Sequence, residues 1–373
     1  MNRYFDNGST SFPKPDCVSA EITRYLTHVG GTYGRAAYGR ILESTLVMET
    51  CRDLLAAKAG VADAGHICFT QNATMASNTL LNGLNLKGDV WVSPLEHNAV
   101  MRPLYHLKQK GLIGIKVLPA QADGYIDCNR MSEIDFTNTS LIIVNHQSNV
   151  NGVVQPLKQI CRFAGEIPVM ADITQSLGSA EVALDDWGIA YACFTGHKGL
   201  LGPTGTGGFY CRYPDRLDPF LYGGTGSASD SFDMPDFYPD RFEAGTPNMA
   251  GIFGLKAALD MPPACSHNTV DFLELINRLQ EIKTLTIYKA ARADYQGELF
   301  SVTSSDLSVD ELTDRLYREF GIEVRGGLQC APLAHQTLGT FPTGTVRISL
   351  SPYHTRQDLL GLADAFFKIC NPA

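Results

Sequence analysis

Lys198 sits in Thr195-Gly196-His197-Lys198-Gly199, directly after the apolar run YACF. A lysine amine is the side chain that condenses with an aldehyde, so a lysine held at the end of a strand is a candidate covalent catalyst. Four other apolar runs end on residues of similar promise. HICFT (66–70) is followed by Gln71-Asn72-Ala73-Thr74, and DVWVSP (89–94) by Leu95-Glu96-His97-Asn98. LIIVNHQS (141–148) is followed by Asn149, and IPVMA by Asp172, with Gln175 three residues later. A histidine moves protons, and a loop that opens a helix turns free backbone N–H groups and a positive dipole end toward an anion. Singly, each has a commonplace reading: Asp172 as a helix cap, His97 as a structural ring, Lys198 as a solvated amine. Their joint placement at strand ends is what carries weight, because ligands of open α/β sheets bind beyond the carboxyl ends of the strands.

The elements that must position these residues are legible as a pattern. Short apolar runs at 66–70, 89–94, 115–120, 141–148, 167–172, 191–196 and 206–211 alternate with amphipathic segments such as 75–83, 98–110 and 156–164. That alternation predicts an α/β fold with a mostly parallel seven-stranded sheet. The last two runs are too close for a crossover, so one strand is expected antiparallel. From about residue 251 the texture changes. Helical stretches at 269–279 and 309–319 separate strand-like pieces at 299–304 and 345–351, which predicts a smaller α+β domain. The expected division is a large domain over 15–250 and a small one built from 1–14 plus 251–373, since 373 residues exceed what one core usually fills. Residues 223–236, rich in Gly, Ser and Asp, read as a long loop.

Composition excludes several functions. A net charge of −9 without a basic cluster argues against nucleic acid as a partner. No apolar stretch reaches the length of a membrane span, and the polar first dozen residues lack a signal-peptide core, so a cytoplasmic protein is expected. The ten cysteines show no C-x-x-C pair, so neither a metal site nor a disulfide framework is expected. Cys68 and Cys193 lie within strand-like runs and read as core residues. Cys330 differs, lying in a Gly-rich stretch without periodicity, 17 residues before Arg347.

The segment FTGHKGLLGPTG (194–205) resembles the Schiff-base segment of class V aminotransferase-fold enzymes that use pyridoxal 5′-phosphate (PLP), especially cysteine desulfurases and selenocysteine lyases. Similar matches run in the family's order through YFDNGST (4–10), LEHNAV (95–100), SNVNG (148–152), ADITQSLG (171–178), FEAGTPN (242–248), VRGGLQCAPLAH (324–335) and VRISLSPYHT (346–355). The resemblance implies a fold type I PLP-dependent transferase. It implies that Lys198 carries PLP and, once freed, shuttles the substrate's Cα proton. Asp172 would pair with the pyridinium nitrogen. His97 would stack on the ring, with Gln175 and Asn149 near its phenolic oxygen. Thr74, Thr195, His197 and the backbone around Ala73 would hold the phosphate. Thr246 would reach the phosphate of a second subunit, implying a homodimer with shared active sites. Arg347 would clamp the substrate carboxylate, supported by Arg325, and Ser9 would lie close enough to tune substrate choice.

Among the reactions open to that family, Cys330 points to desulfuration. A loop cysteine there attacks the sulfur of bound L-cysteine, leaving L-alanine and an enzyme persulfide for an acceptor protein. The match is to the short-loop, group II enzymes, with one departure: they typically carry two histidines before the cysteine, where this chain has Leu328 and Gln329. The segment 250–299 is also shorter than the family's usual stretch. A selenocysteine lyase acting on L-selenocysteine, a small-amino-acid aminotransferase and a C–S lyase remain alternatives. His335 and Arg325 lie near Cys330 in sequence as candidates to modulate it.

Overall fold

The computed structural model describes residues 2–34 and 37–371. Strands β1 (Ile67–Thr70), β2 (Gly88–Val92), β3 (Ile113–Val117), β4 (Thr139–Asn145), β5 (Val169–Asp172), β6 (Tyr191–Thr195) and β7 (Gly207–Cys211) form one sheet, in the order β1-β7-β6-β5-β4-β2-β3. Strands β2 to β6 run parallel, and β7 lies antiparallel to both β1 and β6. The antiparallel strand is the one the short connection required.

Both faces of this sheet are covered, which is why its strands read as continuous apolar runs. Along β4 the side chains alternate: Ile142 and Val144 join one apolar layer, Leu141 and Ile143 the other. The first layer includes Met48 and Leu55 of the helix Gly39–Ala59. The second includes Leu80 of the helix Ala73–Gly83 and Val100 of the helix Asn98–Gln109. Cys68 and Cys193 lie inside the second layer, and all ten cysteines are free thiols. No helix among the described residues is long and apolar enough to cross a membrane.

A second sheet, β8 (Leu285–Tyr288), β9 (Leu299–Ser304) and β10 (Val346–Ser349), is antiparallel in the order β10-β9-β8. It shares a separate core with the helices Thr269–Gln280, Val309–Phe320 and Arg356–Cys370. Phe5 is fully buried in that core, and Tyr4 and Asp6 form bridges to Glu323 and Ser349. Residues 4–6 therefore pack with the second core. The boundary expected between residues 250 and 251 falls inside the helix Met249–Asp260. Met249, Ile252, Phe253 and Leu255 of that helix pack into the first core, so the second begins beyond it. Residues 223–236 hold neither helix nor strand.

The two cores meet at residues 148–152. Gly152 has φ +74°, and a Cβ there would collide with the carbonyl oxygen of Leu299 at the start of β9. Its N–H donates to the Ser148 carbonyl (3.1 Å) and its carbonyl accepts from Gly297 N–H (2.8 Å). Glycine is required here by both conformation and space. Gly152→Ala should therefore cost about 2–4 kcal/mol, combining left-handed strain with overpacking. Urea denaturation of the variant beside the parent reads this, and an unchanged midpoint would show that the junction yields freely.

Candidate active site

The carboxyl ends of β4, β5 and β6, with the loops after β1 and β2, enclose a cavity of about 210 Å³. His97, Asn149, Asp172, Thr195, His197 and Lys198 line it. Ala73, Thr74, Gln175 and Ser9 complete the residues singled out above that reach it. Four lining residues carry a buried polar atom with no protein partner: Asn145 Oδ1, Asn149 Oδ1, Thr174 Oγ1 and His197 Nδ1. Buried polar atoms are almost always paired, so this concentration marks a place built for a polar ligand.

Lys198 is half-buried, and its amine is lowered to about 8. Burial is the main cause, and the Arg347 charge adds to it, while Asp172 and Asp6 pull the other way. Asp172 Oδ1 accepts the Thr174 N–H (2.9 Å), fixing the carboxylate as β5 ends. His97 is the N-cap of the helix Asn98–Gln109, and its Nδ1 accepts the Ala99 N–H (3.0 Å). That bond leaves the ring proton on Nε2. Burial lowers His97 to about 4, with Lys198 and Arg347 pushing the same way and Asp172 opposing, so the ring is neutral at pH 7.

An anion cradle lies on the other side of the cavity. Asn72 caps the helix Ala73–Gly83 by accepting the Met75 N–H (2.9 Å), which leaves the first-turn N–H groups at Ala73 and Thr74 facing outward. Thr195 is buried beside them at the end of β6. The peptide joining His197 to Lys198 is held from the N-terminus: its carbonyl accepts from Ser11 N–H (3.0 Å) and from the Lys14 ammonium (2.8 Å). Neither Ser11 nor Lys14 stood out in the sequence, since nothing local marks a contact with a residue so far along the chain.

Arg347, on β10, is 2% exposed. Its Nη2 donates to Asp6 Oδ1 (2.6 Å) and Ser9 Oγ (2.8 Å), and its Nη1 to the Asn149 carbonyl (3.1 Å), while Nε has no protein partner. Asp6 is thus a functional candidate that the sequence pattern did not single out. Gln175 lies nearby, its Nε2 donating to the Gly8 carbonyl (2.8 Å). Arg325 is exposed and bridges Arg347 through the backbone, so its support comes from strand pairing. Cys330 is exposed, and its carbonyl accepts the Asn98 N–H (2.8 Å), next to His97. It is near enough to Lys198 for its negative form to favour the ammonium there. His335 does not serve Cys330 directly: it is fully buried, and both ring nitrogens are engaged by Thr340 and Gln329. Thr246 lies outside this cavity, lining a separate one of about 240 Å³ with Phe220 and Leu221.

The chain is similar to known proteins over nearly its whole length. The family model for aminotransferase class V matches residues 3–362. A probable cysteine desulfurase of Methanothermobacter thermautotrophicus is 32% identical, with 98% of this chain and 94% of that protein covered. A cysteine desulfurase of Haloferax volcanii is 27% identical, covering 97% of this chain and 88% of its own. The apo structure of a cysteine desulfurase from Thermococcus onnurineus NA1 has a TM-score of 0.89 at 25% identity, covering 98% of this chain and 94% of that one.

The burial of Lys198 has a measurable consequence. With its amine at about 8, the neutral, nucleophilic fraction rises from about a tenth at pH 7 to about nine tenths at pH 9. Reductive labelling of the ligand-free protein with a small aldehyde, read by peptide mass spectrometry, should give a midpoint near 8 at Lys198. Ordinary surface lysines titrate about two units higher, near 10.4. A Lys198 midpoint in that upper range would mean that burial and Arg347 do not act on it.

Proposed function

The chain belongs to the class V aminotransferase family, and from that premise we propose that it is a PLP-dependent cysteine desulfurase, taking sulfur from L-cysteine onto Cys330. The observation that carries this reading is an exposed thiol whose own backbone is bonded to the rim of the Lys198 cavity. Cys330 O meets Asn98 N–H (2.8 Å), and Gln329 O meets Asn149 Nδ2 (2.7 Å).

The residues present fit PLP. Lys198 offers a cavity-lining amine with lowered proton affinity for the aldehyde, and Asp172 a carboxylate for the ring nitrogen. The turn at Ala73 and Thr74, with Thr195 and His197, offers donors for a phosphate. The unpartnered Asn149 and Asn145 oxygens and His197 Nδ1 account for further polar atoms of such a ligand. When bound, PLP supplies an electron sink for the pair released at the substrate's Cα.

The chain's own groups do the rest. Arg347 retains the Nε–H and its positive charge for a substrate carboxylate, and its other donors fix its plane through Asp6, Ser9 and Asn149. Lys198 accepts the Cα proton as a free amine, which its lowered proton affinity permits near neutral pH. His97, neutral with its proton on Nε2, keeps a second positive charge out of the cavity. The Cys330 thiolate then attacks the substrate sulfur. An S–S bond forms as the substrate's C–S bond breaks, and the carbon fragment takes a proton and leaves as L-alanine. Cysteine plus thiol gives alanine plus persulfide, with no external oxidant. The persulfide passes to an acceptor, and because Cys330 is exposed an acceptor protein can reach it.

The functional unit we propose is a homodimer with shared sites. Thr246, outside the Lys198 cavity of its own chain, would serve that of the second copy. The exposed apolar residues beside it, Phe220, Leu221 and Tyr222, fit burial between subunits. Sedimentation should give twice the chain mass, and Thr246→Ala should weaken PLP retention. A monomer with full activity would sink the shared-site reading.

The reaction itself is tested by alanine and sulfide production from L-cysteine with a reductant. The parent should make both in equal amounts, while Cys330→Ala and Lys198→Ala lose roughly a hundredfold or more. Pyruvate and ammonia as products, or an unimpaired Cys330→Ala, would refute desulfuration while leaving the family assignment intact.

A further inference from the structure

Two adjacent non-glycine residues, Gln329 (φ 42°) and Cys330 (φ 58°), lie in the left-handed region. Each such residue costs roughly 1–3 kcal/mol and persists only where the surroundings over-determine it. Here the surroundings are explicit. Gln329 is 5% exposed, and its amide is saturated: Nε2 donates to the carbonyls of Thr345 (2.7 Å) and Arg325 (3.2 Å). Its Oε1 accepts from His335 Nε2 (2.8 Å) and Thr345 Oγ1 (3.3 Å).

The amide orientation is forced, because two carbonyls can only accept. That forces His335 to carry its proton on Nε2 and leaves Nδ1 to accept the Thr340 hydroxyl (2.7 Å). His335 is fully buried and Thr345 likewise, so every member of the chain Thr340–His335–Gln329–Thr345 is shielded from water. A fully satisfied buried network of this kind rigidifies what it holds. What it holds is the peptide carrying Cys330, fixed on its other side by Asn149 Nδ2 on the Gln329 carbonyl and Asn98 N–H on the Cys330 carbonyl.

We propose that Gln329 is a positioning residue: clamped by His335, Thr345 and Arg325, it holds the left-handed turn that presents the Cys330 sulfur to the substrate. The thiol is thereby set by the buried residue before it, and the exposed side chain needs no partner of its own. Asn149 joins this clamp to the substrate site, since its carbonyl also bonds Arg347. Loop, carboxylate clamp and cavity therefore share one side chain and its peptide.

This inference rests on the reading of Cys330 as the sulfur-accepting group, and the test separates the two. In the PLP-loaded protein, Gln329→Met keeps the length and removes all four side-chain hydrogen bonds. Turnover of L-cysteine to alanine should fall about 10- to 100-fold, the range a displacement of about 1 Å produces. The KM for L-cysteine, its half-saturation of the cofactor absorbance change, and the rate at which iodoacetamide alkylates Cys330 should all stay within threefold. A loss of fold alone would move the absorbance and the alkylation together with turnover. Gln329→Gly, which relieves the left-handed strain while removing the clamp, gives the same comparison should the methionine variant fail to fold. Full turnover in either variant overturns the positioning role, as does a fall in turnover matched by an equal rise in KM. If Cys330→Ala in the same assay retains turnover, the fault lies with the desulfurase reading.

Discussion

A guanidinium buried to 2% exposure cannot be left unpaired, and much of the site follows from how Arg347 is satisfied. Removing a cation from water costs several kcal/mol, recovered only with good geometry and hydrogen bonds to its remaining protons. Arg347 belongs to the second sheet, but its partners come from elsewhere. Asp6 and Ser9 arrive from the N-terminus, and the Asn149 carbonyl from the loop after β4. Three distant stretches of chain must therefore be docked before the charge is accommodated. Gly8 makes the approach possible, since a side chain there would press on the Arg347 guanidinium.

The same charge sets the chemistry of the cavity beside it. The Lys198 amine is lowered first by desolvation and then by the buried Arg347 charge, while Asp172 and Asp6 pull the other way. Lys198 yields because its proton can leave at about 8, whereas a guanidinium keeps its proton. His97 responds in the same direction, staying neutral between two cations and one carboxylate. Beneath it Glu96 is fully buried, and burial, with Asp172 nearby, pushes its carboxyl up to about 8. Its Oε1 accepts the Asn145 N–H (2.6 Å) and the Ser93 hydroxyl (2.8 Å), so at pH 7 it is a neutral hydrogen-bonding strut.

What could be read from the amino-acid order divides along physical lines. The central strands of the large sheet were legible because they are buried on both faces and written as apolar runs, whereas the edge strand β3 leaves Lys116 and Val117 exposed. His97, Asp172 and Lys198 were legible because such strands point their last residues into the ligand crevice. β8 was not, being half-buried and without clear alternation. The helix Met249–Asp260 packs into the first core, yet an apolar helix carries no label saying which core it joins. Asp6 and Lys14 were invisible for a deeper reason. Their significance lies in partners 341 and 183 residues away, and no local period records such a contact. Gln329 looked like a departure from a two-histidine pattern, yet here it is the centre of a saturated network, its acceptor filled by a histidine from six residues on.

A nucleophile that must take sulfur inside a cavity and hand it to something outside faces opposed demands. Burial would give precision and block delivery, whereas a free loop would allow delivery and lose aim. Here the demands fall on different atoms. The side chain of Cys330 is exposed, while the peptide bearing it is fixed by buried groups on both sides. Backbone strain at Gln329 and Cys330 is the cost of the left-handed turn in this short loop, and the buried amide offsets it. Because the strain sits in the backbone and its compensation behind it, the sulfur transfer proposed for Cys330 would disturb neither.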